Sequence, residues 1–327
     1  MEAIRTYAGI LKSTVVQWFE RNPFRSSTVI AYYSLFSLPG LLIVLINLVG
    51  YFYGTEKVSE EITGQIQGIV GGQVARDVQA IVKQSAELKD NTFAYIAGIA
   101  AILFGATGVF YHIQQSLNEI WQVQPKRKQR FLKLVRDRLF SFGMVLAIGF
   151  LLLISFALSA LIALASQWVT DHVSKSLTIL FHILDITFSL AIITLLFAAI
   201  FKFLPDVKIP WRNVWGGAII TSVLFVIAKF ALGLYFGLND PGSAYGAAGS
   251  VILILLWSSY SGMLLLFGAE FTHEHTKKFQ DALTISDFAV PERNADLEYV
   301  DDDGKRRVHS EISDENSSEG ERDAKKP

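Results

Sequence analysis

Six long apolar runs constrain this chain more than any motif in it. They fall at about Val29–Phe52, Phe93–Tyr111, Phe140–Ala165, Leu177–Phe203, Val214–Leu238 and Val251–Phe271. Each is long enough to cross a hydrocarbon core of roughly 30 Å as a helix rising 1.5 Å per residue. A water-soluble fold would give such helices a polar face, and these have almost none. The expectation is an all-α, polytopic membrane protein with six transmembrane helices, whose function lies inside a helical bundle.

The formal net charge of −1 hides a split. From Ile285 onward there are 13 acidic and 7 basic residues, a net of −6, leaving 22 basic and 17 acidic residues in the body. A basic body suits anionic lipid headgroups, and the acidic end reads as a solvated appendage. Cysteine is absent, which excludes disulfides, thiolate metal sites and cysteine nucleophiles. The first 25 residues lack the apolar core and small-residue cleavage site of a signal peptide, so the first membrane helix is expected to persist.

Residues 1–24 read as an amphipathic helix on the cytoplasmic face of the membrane, with Ile4, Ala8, Leu11, Val15 and Trp18 at a period near 3.6. A helix that simply docks on the bundle fits that pattern equally well. Residues 25–284 form the six-helix domain, with an outer helical loop at 53–91 and a basic cytoplasmic loop at 112–139. Two short amphipathic helices around Gly71–Gly72 are expected in the outer loop. The basic loop carries Lys126, Arg127, Lys128, Arg130, Lys133, Arg136 and Arg138, whereas Ser166–Ser176 has only Lys175 and Asn239–Ser250 has no basic residue. The asymmetry puts both termini in the cytoplasm. Residues 285–327 are expected to be an acidic, disordered cytoplasmic tail.

Ionisable groups at membrane depth are costly, so they head the candidates. Asp185 and Lys229 each lie roughly 12–14 Å from the outer end of their spans, at the helical rise per residue. Each sits on a polar or small-residue stripe: Thr178, His182, Asp185 and Ser189 on one span, Ser222, Lys229, Gly233 and Gly237 on the next. Three readings stand: an ion pair that only holds two helices in register; with His182, a proton-coupled or anion-binding centre; or unpaired side chains that reach water near the outer interface. Gly233 and Gly237 permit close helix approach, within one chain or between two copies. Glu270 and Lys202 are expected to pair at the cytoplasmic rim, as a salt bridge or a gate contact. Pro39–Gly40 interrupts the first span, as a packing kink or a hinge. His112 ends a small-residue face and reads as an interface residue.

No metal site is expected, because His273 and His275 point about 200° apart on a helix. HExxH, GxSxG and Walker patterns are absent. The basic loop is explained by topology and anionic lipid, so nucleic acid is not an expected partner.

The stretches AYYSLFSLPGLLIVLINLVG at Ala31–Gly50, IWQV at Ile120–Val123, FLPD at Phe203–Asp206 and SAYGAAGSVILILLW with GAEFT between Ser243 and Thr272 resemble the YihY/BrkB family of bacterial inner-membrane proteins. The resemblance covers about Thr14 to Lys278. It implies six helices and a cytoplasmic-membrane location, and no agreed biochemical activity. Members are also labelled virulence factor BrkB or ribonuclease BN. The nuclease label finds no metal-ligand cluster in this sequence that would activate water on a phosphodiester. The expected function is that of a transporter or flippase-like protein for an amphiphilic or anionic solute, with membrane lipids as partners. The alternative is a non-transporting envelope assembly or scaffold protein. An enzyme and a cofactor are not expected, since no catalytic constellation is visible.

Overall fold

The computed structural model describes residues 2–70, 108–125, 178–239, 248–279, 282–285, 289–291 and 298–300, with a few isolated positions between them. Helix α1 (Glu2–Glu20) is followed by α2 (Pro23–Tyr53) and α3 (Thr55–Val70). Helix α4 is described over 108–120. Helices α5 (Thr178–Phe203), α6 (Trp211–Asn239) and α7 (Gly249–Phe279) complete the helical part.

Asn22 separates α1 from α2 with φ 52 and ψ 62, a left-handed conformation that asparagine tolerates better than most residues. Pro23 then opens α2, where its missing N–H costs no hydrogen bond. Gly54, at φ 90, turns the chain from α2 into α3 while its N–H bonds the Gly50 carbonyl at 2.8 Å. Helix α2 continues through Pro39 and Gly40. The proline removes one hydrogen bond of the ladder without ending the helix, which leaves both the packing kink and the hinge open. Of the two helices expected in the outer loop, α3 is present, with Val58 and Ile62 buried. The second lies outside the described residues, as do most of the second and third apolar runs.

Among the described residues, three helices are long and apolar enough to cross a membrane, over Ile186–Phe203, Trp211–Tyr235 and Gly249–Phe279. Only 28% of each stretch is buried inside the protein. Ile186, Ile219, Ile227, Phe230 and Leu234 are all more than half exposed, an apolar surface that needs lipid rather than water.

Helix α7 is the hub and packs against α1, α2 and α6. Its crossing with α6 is very close. A Cβ on Gly217 would collide with Thr272 Oγ1 and lie 2.7 Å from the Gly268 carbonyl, and one on Gly268 would collide with Thr221 Oγ1. A Cβ on Gly262 would stand 3.3 Å from Ser27 Cβ, a looser approach to α2. These three glycines hold the described packing. Gly233 is half-buried, and the surroundings of Gly237 lie outside the described residues.

The core gathers at the end of the bundle where α4, α5 and α7 finish and α2 and α6 begin, here called the basal end. Leu117, Trp121, Phe201, Ile209, Val214 and Leu283 are all at most 1% exposed there. Strand β1 (Val123–Pro125) pairs antiparallel with β4 (Ala289–Pro291). Strand β2 (Val207–Lys208) pairs antiparallel with β3 (Ala282–Ile285), which runs parallel to β5 (Glu298–Val300). Two expectations change here. The fold is helical with two small sheets rather than all-α. Positions 285, 289–291 and 298–300, expected in a disordered tail, are strands: the segments after α4 and α5 offer ladder partners to β4 and β3, and β3 in turn pairs with β5.

Candidate functional site

The α1–α2 turn brings Arg21 over the basal half of α7. Arg21 Nε lies 3.1 Å from Glu270 Oε2, and its Nη1 donates to the Glu119 carbonyl at 2.9 Å. Glu270 and His273 have no exposed surface, and Glu274 is 9% exposed. The three stand at i, i+3 and i+4, one face of a helix. His273 Nδ1 lies 3.6 Å from Glu270 Oε1 and 3.7 Å from Glu274 Oε1. Both gaps are beyond hydrogen-bond length. Neither ring nitrogen of His273 and neither carboxylate oxygen of Glu270 has a hydrogen-bond partner. Trp121 closes the site with its ring edge-on to His273, centroids 5.2 Å apart.

A small cleft opens beside this cluster. Apolar Trp18, Ile120 and Leu266 meet Arg21, Glu119 and Glu270 in its wall. Below it, Asn118 and Asp206 clamp α4 to the turn after α5. Asn118 Nδ2 donates to Asp206 Oδ2 at 2.7 Å, and the Asp206 N–H donates to Asn118 Oδ1 at 2.8 Å. The IWQV, FLPD and GAEFT stretches thus meet at one end of the molecule.

The expected Glu270–Lys202 pair is corrected. Glu270 is taken by Arg21, while Lys202 donates to the Ile209 carbonyl and lies 5.8 Å from the centre of the Trp211 ring. Lys202 is in the last turn of α5, and the tight return through β2 puts a carbonyl and an aromatic face within its reach. The expectation of no metal-ligand cluster is also corrected. It rested on His273 and His275, and His275 does turn away, into a ring of Tyr7, Phe271 and Phe279. Glu270, His273 and Glu274 nonetheless bring ligand atoms within 4.8 Å of one another. The i, i+3, i+4 spacing in EFTHE was the signal for them. Nothing in the sequence signals Arg21, which comes from another helix.

The intramembrane candidates are less closely assembled. Ser222 is fully buried and shares a 2.7 Å hydrogen bond with Thr194. That bond sets the level of α5 against α6 and puts positions 185 and 229 within two residues of one height. Position 185 is also nine residues from Thr194, two and a half helical turns, which is the opposite side of α5. Ser189 and Lys229 are half-buried, and the side chains of His182 and Asp185 lie outside the described residues. His112 stacks on Tyr33 with centroids 3.9 Å apart, the interface role expected of it.

Comparison with known proteins agrees with this picture of apolar helices. The chain is 29% identical over 252 residues to a UPF0761 membrane protein of Pseudomonas aeruginosa, covering 75% of this chain and 57% of that protein. It is 28% identical over 259 residues to a UPF0761 membrane protein of Azotobacter vinelandii, covering 75% and 58%. It is 26% identical over 257 residues to one from Saccharophagus degradans, covering 78% and 57%. The chain thus spans little more than half the length of the curated relatives it matches. No solved structure matches it. The family model described as virulence factor BrkB matches residues 15–289, and this chain is a membrane protein that belongs to that family.

Proposed function

We propose that this protein is a six-span transporter or flippase-like protein of the bacterial inner membrane, with both termini cytoplasmic, acting on an amphiphilic or anionic solute. One observation carries the reading: the charges enclosed at the basal end of α7 lack a full set of hydrogen bonds. A bundle that only keeps its shape satisfies its buried polar groups. Charges left short of partners favour a second arrangement, which is what an inner gate uses. The adjoining cleft joins apolar Trp18 and Leu266 to the Arg21 cation, a combination suited to a ligand with an apolar body and a negative head. Exposed Tyr7, Leu11, Val16 and Phe19 on α1 support a helix lying in the membrane surface. Asp185, Lys229 and His182 would be a polar station in the outer half of the path. The scaffold alternative draws support from the interlocked α6–α7 crossing, which favours one fixed geometry. No enzymatic step is assigned.

The test is reconstitution in liposomes of mixed neutral and anionic lipid, measuring scrambling of a fluorescent anionic lipid and proton-linked solute uptake. Wild type is compared with Glu270→Gln, Asp185→Asn and Lys229→Met. The proposal expects activity in wild type and a large change in Glu270→Gln at unchanged folding. A well-folded wild type that moves neither probe would favour the scaffold.

A further inference from the structure

We infer that Glu270, His273 and Glu274 form a binding site for one divalent transition-metal cation. The site requires no transport, so it stands or falls separately from the proposed function. Donor atoms on one ion at about 2.0–2.2 Å stand roughly 3.0–3.6 Å apart. His273 Nδ1 lies 3.6 and 3.7 Å from its two carboxylate neighbours. The gaps are too long for hydrogen bonds and only slightly longer than the edges of a coordination polyhedron. His273 is fully enclosed, and its Nδ1 faces both carboxylates without a hydrogen-bond partner.

Arg21 divides the roles of the Glu270 oxygens. It holds Oε2 at 3.1 Å and leaves Oε1 on the His273 side. A charged group bound to the far oxygen of a ligating carboxylate is a common way to orient it. Two carboxylates outweigh the single positive charge of Arg21, so a divalent cation has a net attraction to the enclosure. Two carboxylate oxygens and one imidazole nitrogen suit zinc, manganese or ferrous iron. Magnesium and calcium prefer all-oxygen sets with more ligands. The cleft lined by Arg21, Glu119 and Glu270 adjoins this enclosure on its Glu270 side.

The test uses the full chain in detergent, with any tag removed and metal stripped by a chelator. Zinc and magnesium are titrated in by calorimetry, and bound metal is counted by elemental analysis. One zinc per chain is expected, with magnesium far weaker. His273→Gln should weaken zinc by at least about 100-fold, more than the loss of an outer partner to a ligand. His275→Gln should leave it unchanged. If His273→Gln does not fold, cobalt bound to wild type is read by X-ray absorption, where a histidine shell beside oxygen ligands is expected. Failure of wild type to take up zinc, undiminished binding by folded His273→Gln, or a cobalt spectrum without histidine would each overturn the inference.

Discussion

Gly268→Ala tests the α6–α7 crossing directly. The new Cβ would collide with Thr221 Oγ1 and stand 2.9 Å from Thr221 Cβ and 3.1 Å from Phe201 Cζ. Rotating Thr221 cannot relieve the Cβ contact. It would also break the 2.7 Å hydrogen bond from Thr221 Oγ1 to the Gly217 carbonyl, worth about 1 kcal/mol. Phe201 is 1% exposed and has no room to retreat. The helices must therefore part, and overpacking of this kind costs about 2–3 kcal/mol. Alanine returns about 1 kcal/mol of helix propensity, for a net loss of about 1–2 kcal/mol. Gly9→Ala is the control, because nothing lies within 4 Å of its added carbon and it gains propensity alone. The two variants should then differ by about 2–3 kcal/mol, or about 4–12 °C in Tm for a bundle of this size. Thermal unfolding in detergent, followed by tryptophan fluorescence, reads the difference. A Gly268→Ala protein as stable as Gly9→Ala would refute the close crossing.

Arg21→Ala leaves Glu270 buried without its cation and should cost about 3–5 kcal/mol; adding Glu270→Gln should restore part of it, and denaturant unfolding of the double-mutant cycle checks this. Asn118→Ala removes the two hydrogen bonds that Asn118 makes with buried Asp206, and a loss of about 1–3 kcal/mol is expected in the same assay. Ending the chain after Val300 should leave the Tm unchanged, whereas ending it after Ile285 removes β4 and β5 and should lower it. Equal values for the two truncations would contradict the sheet pairing.

Much of the scaffold was legible in the sequence, since hydrophobic runs and turn residues act locally. The spans of α5, α6 and α7 can be read from length and apolarity, and α1 from its period. Reading failed where partners came from far along the chain. Lys202 matched Glu270 in depth, but the carbonyl of Ile209 and the ring of Trp211 were nearer once β2 formed. Acidic composition past Ile285 argued for disorder, because the partner of β4 at 123–125 is distant in sequence and β5 pairs with a β3 that is itself held by 207–208. EFTHE carries Glu270, His273 and Glu274 on one helix face at i, i+3 and i+4, whereas the pair His273 and His275 diverges.

By itself the sequence determined that this chain is a membrane protein with apolar helices, because twenty apolar residues in a row have few other stable environments. Only the tertiary structure decided which charges meet. Arg21 reaches Glu270 because a left-handed turn at Asn22 folds α1 onto α7, and Gly217 faces Gly268 because α6 and α7 cross there. Hydropathy is a property of each segment and survives in isolation. The Arg21–Glu270 ion pair and the helix crossings depend on angles and distances between segments, which no local pattern encodes.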